Sequence, residues 1–435
     1  MRHAGRGGPH APDRSDPDHQ RRVREGPRDH ARGHDQERVP RSDRSLQTPG
    51  VGLQLPDRQL TAPDQQAWIH VDLGAIRSNV SCVSEFVGPG VEVMAVIKAD
   101  AYGHGIIKTA QAAIEGGASC LGVATVYEGL SLREAGIEDP IVILGLTLPE
   151  ATSAIVDADL SATVSAAESV EALQAAAAAQ NTVAKLHLKV DTGMGRIGVA
   201  PDGVERLLDL ISSGSHLEVE GLSTHIGWDV DQLSELQKQV DRIQRTFDQL
   251  LSSHPRPRWV HAANSLVTLS QPAVRYNLVR AGLLTYGIPP CDHPALRAAP
   301  LDALTAALSI HARITQVREL EAGQAVSYGG HTVVDRPTRA AIVPVGYGDG
   351  YPRFPSPSGS ALANGVRCPI LGVICMDQMV IDISDADVDI GDEVILLGTD
   401  RATSITAADL ALLAQRIPYE IVTGLGARLP YRYTP

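Results

Sequence analysis

Three short segments place reactive side chains directly after runs of apolar residues. In the first, Lys98 closes the apolar run 91–98, and the surrounding sequence reads AVIKADAYGHG. A lysine at the end of a buried strand is partly desolvated, which lowers the pKa of its amine and favours Schiff-base chemistry. The alternative is a lysine that reaches solvent along its aliphatic stem and has no chemical role.

The second segment is LKVDTGMGRIG at 188–198, which follows another apolar run. Two glycines between Asp191 and Arg196 allow a tight loop that holds Lys189, Asp191 and Arg196 close together. The guanidinium of Arg196 has the geometry to bind a carboxylate or a phosphate through two hydrogen bonds. A structural turn with solvated charges is the alternative interpretation.

The third segment combines HAANS at 261–265 with RAGLLTYG at 280–287. Asn264, Ser265 and the backbone amides near Gly282 are suited to bind a phosphate. Together the three segments supply an amine nucleophile, a cation and a phosphate site. Pyridoxal phosphate requires this combination, with a further partner for its ring nitrogen.

The elements that must position these residues are predicted by eight apolar runs. Runs of this length are typical of strands buried on both faces. They lie at 91–98, 119–125, 140–146, 160–165, 184–190, 219–225, 258–263 and 278–287. Helical periodicity separates several of them, most clearly at 169–179 and 232–251. Eight strands alternating with helices predict a parallel (β/α)8 TIM-type barrel, in which active residues gather at the carboxyl ends of the strands. A doubly wound sheet is the alternative, but its Gly-rich turn after the first strand is missing.

A different pattern begins at about residue 302. Short apolar runs are separated by Gly, Pro and Asp, and DIGD at 389–392 is predicted to be a turn between two strands. Helical periodicity returns only at 405–417. We therefore expect a barrel domain at 66–301 and a mostly antiparallel β domain at 302–435.

The first 65 residues differ from both domains. They contain 12 Arg against 10 Asp and Glu and few apolar residues, so we expect a disordered amino-terminal extension at 1–65. The whole chain has a net charge of −13, which makes it a poor general binder of nucleic acid. It contains no apolar run long enough for a membrane span and no secretory signal. Five cysteines without a CxxC pair indicate no disulfide framework, no Cys-based metal site and a reducing, cytoplasmic location.

The span from about Trp68 to the carboxyl terminus resembles the alanine racemase family. The matching motifs, in order, are WIHVDLGAIRSN, AVIKADAYGHG, LKVDTGMGRIG, the Thr-His of STHIG, AANS, VRAGLLTYG, VSYGG, VGYGDGYPR, CMDQMVIDI and IPYEIVTGLG. The resemblance implies a pyridoxal 5'-phosphate enzyme that interconverts L-alanine and D-alanine. It also implies a homodimer in which each active site combines residues of both subunits.

The resemblance carries residue roles with it. Lys98 resembles the lysine that holds the cofactor as an imine and acts as one base, and Tyr328 resembles the base on the opposite face. Arg280 resembles the arginine that faces the pyridine nitrogen, and His225 the histidine between that arginine and the tyrosine. Further cofactor contacts are implied at Tyr102, Asn264, Ser265, Gly282, Leu283 and Tyr419. Arg196 and the backbone of Met376 match positions that bind the substrate carboxylate, Lys189 matches a lysine that is often carbamylated, and no metal is implied.

One departure from the family pattern leaves the substrate open. The sequence HIGWDVDQ stands where the family more usually has Phe-Ala after the histidine, so Trp228 could reshape the substrate entrance. A broader amino-acid racemase, for example for serine, is therefore the first alternative. A related barrel decarboxylase is the second, although VSYGG and CMDQ favour racemisation. A non-catalytic cofactor-binding barrel would lack the second domain. The Pro-rich segment 289–300 is expected to connect the domains, and D-alanine would serve as a peptidoglycan precursor or enter a specialised pathway.

Overall fold

The computed structural model describes residues 65–291, 293, 296, 301–355 and 358–435. The predicted disordered extension therefore lies outside the described residues, apart from Gln65. Most of the predicted connector at 289–300 lies outside them as well. None of the helices in the described part of the chain combines the length and apolarity that a membrane span requires.

Eight parallel strands form the sheet that the apolar runs predicted, so the barrel interpretation is confirmed over the doubly wound sheet. The strands are β2 (Glu92–Val96), β3 (Cys120–Val123), β4 (Ile141–Ile143), β5 (Ser161–Val164), β6 (Ala184–Lys189), β7 (Leu217–Ser223), β8 (Trp259–His261) and β9 (Leu278–Ala281). Strands β2 to β8 pair in sequence order, and β9 returns to pair with β2. The N–H of Arg280 donates to the carbonyl of Ala263 (2.9 Å), which joins β9 to the end of β8 and nearly closes the barrel.

Helices lie between the strands, and the two predicted at 169–179 and 232–251 are confirmed as α6 and α8. The helices of this part of the chain are α1 (Leu73–Val87), α2 (Lys98–Gly103), α3 (Ile106–Glu115), α4 (Val126–Glu134), α5 (Thr152–Asp157), α6 (Ala167–Ala179), α7 (Val204–Ser213), α8 (Leu233–Ser253) and α9 (Ser265–Ser270). In α8, Leu236, Val240, Ile243, Phe247 and Leu250 are buried. These positions follow the helical period, and this explains why α8 packs one face on the barrel.

The remaining strands form mostly antiparallel sheets, as the sequence predicted. They are β1 (Ala67–Asp72), β10 (Leu308–Arg313), β11 (Gln316–Leu320), β12 (Ala325–Val326), β13 (Thr332–Val333), β14 (Thr338–Val343), β15 (Ser360–Ala363), β16 (Val366–Pro369), β17 (Met379–Asp382), β18 (Glu393–Asp400), β19 (Thr403–Ile405) and β20 (Tyr431–Thr434). The largest of these sheets has the order β16-β15-β18-β10-β1-β20, with β19 on β18, and a smaller sheet has the order β11-β14-β17. Two helices complete this part, α10 (Ala407–Ala414) and α11 (Pro418–Thr423).

Strand β1 crosses the predicted domain division. It precedes the barrel in sequence, but it pairs antiparallel with β10 and parallel with β20, so that Ile69 lies between Ile310 and Tyr431. The division of the chain into a barrel domain at 66–301 and a β domain at 302–435 stays a prediction. Strand β1 is an exception to it, because its residues belong to the first range and pair with strands of the second. One connected apolar core runs from the barrel strands into the sheet that contains β1.

Candidate active site

Lys98 lies at the start of a strained left-handed turn that follows β2. The four residues 99–102 all have φ of 53 to 54°. This region costs an L-residue roughly 1–2 kcal/mol, so it persists only where surrounding contacts impose it. One such contact is the N–H of Ala99, which donates to the Glu128 carboxylate (2.6 Å). The strain therefore indicates that the position of Lys98 is fixed by the fold.

The amine of Lys98 is in an environment that disfavours its charged form. Burial is the main cause that lowers its pKa, and the positive charges of Arg196 and Arg280 lower it further. Glu128 acts in the opposite direction and offsets part of the shift. A larger fraction of neutral amine at neutral pH makes Lys98 a better nucleophile and a better base.

Arg280, in β9, is only 5% exposed and is held by four hydrogen bonds. Its guanidinium donates to Nδ1 and the carbonyl of His261, to Nδ1 of His225 and to the carbonyl of Ala262, each at 3.1 Å. Burial and Arg196 lower the pKa of Arg280 to about 10, so it stays protonated at neutral pH. Burial and Arg280 lower the pKa of His225 to about 2, which keeps this imidazole neutral and able to accept.

Gly282, Ser265 and Tyr102 converge at one point beside Arg280. The N–H of Gly282 donates to Oγ of Ser265 (2.9 Å). A Cβ atom at Gly282 would lie 2.9 Å from the Tyr102 hydroxyl oxygen and 3.6 Å from Oγ of Ser265, so only glycine leaves this space open. The Tyr419 ring lies 5.8 Å from the ring of Tyr102. Burial raises the pKa of both tyrosines, so both hydroxyls remain available as hydrogen-bond donors.

Asn264 and Leu283 support this site from the two adjoining short helices. Oδ1 of Asn264 accepts from the N–H of Val267 (3.0 Å) and caps α9, so this oxygen already has a structural partner. Leu283 opens the 3-10 helix Leu283–Tyr286, whose Thr285 N–H donates to the Gly282 carbonyl (3.0 Å). The two helices therefore begin next to each other at the carboxyl ends of β8 and β9.

Lys189 and Arg196 lie in the segment that follows β6. Lys189 is 8% exposed, and burial, Arg280 and Arg196 lower its pKa well below the usual value. The loop after it is shaped by Asp191, whose carboxylate accepts from the three N–H groups of residues 193–195 at 2.9 to 3.0 Å. Arg196 itself is exposed at the end of this loop.

Tyr328 and Met376 lie outside the barrel, and their side chains are unusually exposed. Tyr328 is 72% exposed and Met376 is 53% exposed. The backbone directly before Tyr328 is strained, because Ser327 has φ of 65°. A hydrogen bond from Oγ of Ser327 to the Val373 carbonyl (2.6 Å) holds this conformation. Among the described residues, no hydrogen bond, ring contact or ion pair joins either side chain to the groups at the barrel mouth.

Comparison with known proteins decides the family. The model of the alanine racemase N-terminal domain matches residues 71–290, and that of the alanine racemase C-terminal domain matches residues 307–433. The chain belongs to the alanine racemase family. The alanine racemase of Symbiobacterium thermophilum is 40% identical over 370 residues, which cover 84% of this chain and 96% of that protein. The alanine racemase of Halothermothrix orenii is 38% identical over 379 residues, which cover 87% and 98%.

A solved structure of the same family has the same fold. The crystal structure of alanine racemase from the D-cycloserine producer Streptomyces lavendulae superposes with a TM-score of 0.80 at 34% sequence identity. The match covers 86% of this chain and 98% of that chain. The family assignment therefore holds for both the barrel and the sheets that follow it.

Two residues that form hydrogen bonds with this candidate site were not predicted from the sequence. Glu128 belongs to the capping box at 125–128, a pattern that predicts a helix start and says nothing about Lys98. His261 stands in the HAANS segment, but only the structure shows that it accepts a hydrogen bond from Arg280. Within the described residues, no group of three or more His, Cys, Asp or Glu side chains is arranged to hold a metal ion.

Proposed function

We propose that this protein interconverts L-alanine and D-alanine with pyridoxal phosphate bound at the mouth of the barrel. One observation carries the proposal: a lysine of lowered pKa, a buried arginine and an open glycine-serine-tyrosine site lie near the carboxyl ends of strands in one barrel. Membership of the alanine racemase family supports the same reaction.

The residues present fit the cofactor. The space that a Cβ at Gly282 would fill lies between two hydroxyl groups, Ser265 and Tyr102, and suits a phosphate. Leu283 and Tyr419 would complete the phosphate contacts, Arg280 would face the ring nitrogen, and Lys98 would hold the aldehyde carbon. When bound, pyridoxal phosphate supplies the electron sink that makes the Cα–H bond of an amino acid acidic.

Racemisation needs one base on each face of the substrate Cα atom. Lys98 would remove or return the proton on one face, which its lowered pKa supports. Tyr328 would do so on the other, with His225 joining it to Arg280. Because Arg280 remains protonated at neutral pH, it would not give its proton to the ring nitrogen and would limit how strongly the ring withdraws electrons. Arg196 and the backbone amide of Met376 would bind the substrate carboxylate.

The exposure of Tyr328 and Met376 supports a homodimer with shared active sites. Two residues assigned to the site are 72% and 53% exposed in a single chain, a property expected of side chains that complete the site of a partner subunit. A mixing experiment tests this directly with Lys98→Ala and Tyr328→Phe, each nearly inactive alone. In a mixed dimer, shared sites would combine the intact Lys98 of one subunit with the intact Tyr328 of the other.

The expected activity of a random mixture is about a quarter of the wild-type value, because about half of the dimers are mixed and each has one intact site. Sites contained within one subunit would leave the mixture inactive. As a control, two variants defective at the same residue, Lys98→Ala and Lys98→Met, should not restore activity when mixed.

Lys189 is proposed to carry a carbamate. Its lowered pKa favours a neutral amine, which can attack carbon dioxide and lose a proton to give an N-carboxylate. Arg196 and Arg280 would stabilise the new negative charge and be oriented by it. Intact protein labelled with carbon-isotope bicarbonate should show a carbamate resonance in nuclear magnetic resonance that is missing in Lys189→Ala.

Turnover itself is tested with a chiral assay on L-alanine and L-serine, together with the absorption spectrum. D-alanine should appear, and the absorption band of covalently bound cofactor should be lost in Lys98→Ala. A second candidate, broader racemisation that includes serine, is favoured by Trp228, which follows His225 by three residues, is half-buried and packs against the apolar core. A similar kcat/KM for both substrates would support it.

The location and pathway are inferred from chemistry alone. The chain has five cysteines and no CxxC pair, which supports a reducing, cytoplasmic location. D-alanine made there would be available as a peptidoglycan precursor. Restored growth of a bacterial strain that requires D-alanine would support this role, whereas activity without restored growth would favour a specialised pathway.

A further inference from the structure

A chain of hydrogen bonds continues from Arg280 into the interior of the barrel. Nη1 of Arg280 lies 3.1 Å from Nδ1 of His261, and Nε2 of His261 lies 2.9 Å from Nδ1 of His187. Nε2 of His187 lies 3.3 Å from Oε2 of Glu220, which also accepts from the hydroxyl of Ser161 (2.5 Å). The four linked residues, Arg280, His261, His187 and Glu220, are 5%, 1%, 0% and 3% exposed.

The chemistry of the two ends determines the proton positions in between. Glu220 can only accept when it is ionised, so His187 must carry its proton on Nε2 and offer a lone pair on Nδ1. His261 must then donate from Nε2 to His187, which leaves the Nδ1 lone pair of His261 facing Arg280. The guanidinium has only donors, so this is the one neutral arrangement that satisfies every link.

The local backbone leaves room for this chain. A Cβ atom at position 221 would lie only 2.2 Å from Nδ1 of His187, so the glycine there allows the ring to lie against β7. The pairing of β6 with β7 also shifts its register between Leu186 and His187. Such irregularities redirect a side chain, and this one lies at the residue that links Glu220 to His261.

We propose that Glu220 is a positioning residue that acts through His187 and His261 to orient the guanidinium of Arg280. This rests on the proposed function for the assignment of Arg280 to the cofactor ring nitrogen. The carboxylate selects the tautomer of both imidazoles, and His261 in that tautomer gives Arg280 an acceptor in a fixed place. The negative charge also lies at the far end of a buried chain that begins at a positive one.

Removing the charge of Glu220 breaks this selection. In Glu220→Gln, the side-chain amide can donate as well as accept, so His187 can place its proton on either nitrogen. When His187 carries its proton on Nδ1, it donates to Nε2 of His261. The proton of His261 then lies on Nδ1, and this N–H group faces an N–H group of the Arg280 guanidinium. Arg280 then loses an acceptor and moves.

The test compares Glu220→Gln with Glu92→Gln in the cofactor-loaded enzyme. Glu92 is a matched control, because its Oε2 accepts from the indole of Trp259 (3.1 Å), which lies in β8 as His261 does. Among the described residues, no hydrogen bond or ion pair links Glu92 to Arg280. Proton–nitrogen correlation spectra of protein grown with nitrogen-labelled histidine report the tautomers. Signals of His187 and His261 are assigned from their loss in asparagine variants.

In the wild type and in Glu92→Gln, we expect both histidines to be neutral with the proton on Nε2. In Glu220→Gln, the signals should move to a mixture of tautomers. The kcat for alanine should fall about tenfold, as expected when one charged hydrogen bond is misaligned, while KM changes little because Arg280 does not bind substrate.

Each outcome bears on one of the two proposals. An Nδ1–H tautomer for His187 or His261 in the wild type would overturn the positioning role, and this result does not depend on the folding of Glu220→Gln. Unchanged tautomers in Glu220→Gln would also overturn it. Shifted tautomers in a protein whose wild type does not racemise alanine would instead refute the proposed function and leave the tautomer selection intact.

Discussion

Replacement of Gly221 by alanine tests whether the packing of β7 against His187 is as tight as the structure indicates. The new Cβ atom would lie 2.2 Å from Nδ1, 2.5 Å from Cε1 and 2.6 Å from Cγ of His187. These distances are far below van der Waals contact. The ring is completely buried and hydrogen-bonded at both nitrogens, so it cannot move aside without breaking contacts.

The magnitude follows from two contributions. Overpacking in a rigid core costs roughly 1–3 kcal/mol of unfolding free energy. Displacement of the His187 ring also disrupts a buried hydrogen bond to His261 or Glu220, which is worth about 1 kcal/mol. We therefore expect Gly221→Ala to destabilise the protein by about 2–4 kcal/mol.

Urea unfolding of four proteins separates this cause from others: the wild type, Gly221→Ala, His187→Ala and the double variant. If the clash with the ring is responsible, Gly221→Ala should cost less than about 1 kcal/mol once His187 is alanine, which gives a coupling free energy of about 2 kcal/mol. If Gly221→Ala lowered the unfolding free energy equally in the wild type and in His187→Ala, the clash would not involve the His187 ring, and the reasoning would be refuted.

Three further changes have defined outcomes. Asn79→Ala should lower the unfolding free energy by about 3 kcal/mol in thermal denaturation, because the buried amide makes three hydrogen bonds to the backbone of Thr285 and Thr305. Asn264→Ala removes the cap of α9 and should cost about 1 kcal/mol in urea unfolding. Burial lowers the pKa of His104 to about 4, so unfolding at pH 5 should be easier than at pH 7, and His104→Gln should weaken this dependence.

The sign of the pH effect follows from linkage. Below pH ~6.5 an unfolded histidine takes up a proton, whereas folded His104 stays neutral until about pH 4, so the contribution of His104 to stability falls across this window by about 3 kcal/mol. Equal slopes in the wild type and His104→Gln would contradict this assignment. Asn264→Ser should retain most of the cap, so a loss as large as that of alanine would argue against the capping explanation. Asn79→Asp should cost at least as much as alanine, because a buried carboxylate oxygen would face the carbonyls of Thr285 and Thr305, so a smaller loss would argue against the hydrogen-bond explanation.

Local patterns in the sequence were sufficient for the barrel and for part of the site. Each of the eight apolar runs became a parallel strand, because burial on both faces requires continuous apolar residues whatever the neighbours are. Since the carboxyl ends of parallel strands meet at one end of a barrel, the segments of Lys98, Arg196 and Arg280 could be expected together. His225 was expected there only from the resemblance to the family. The motifs around them were sufficient to identify the family.

Tertiary structure decided what depends on contacts between distant residues. The apolar pattern of β1 does not indicate which strands it pairs with. In the structure, β1 lies in the antiparallel part of the fold because β10 and β20 form hydrogen bonds along its two edges. Likewise, Glu128 reaches Lys98 only through the left-handed turn, and Glu220 reaches Arg280 only through His187 and His261. Strand runs and helix periods are local in sequence, whereas hydrogen bonds between side chains of different strands are set by register and packing, which no local pattern encodes.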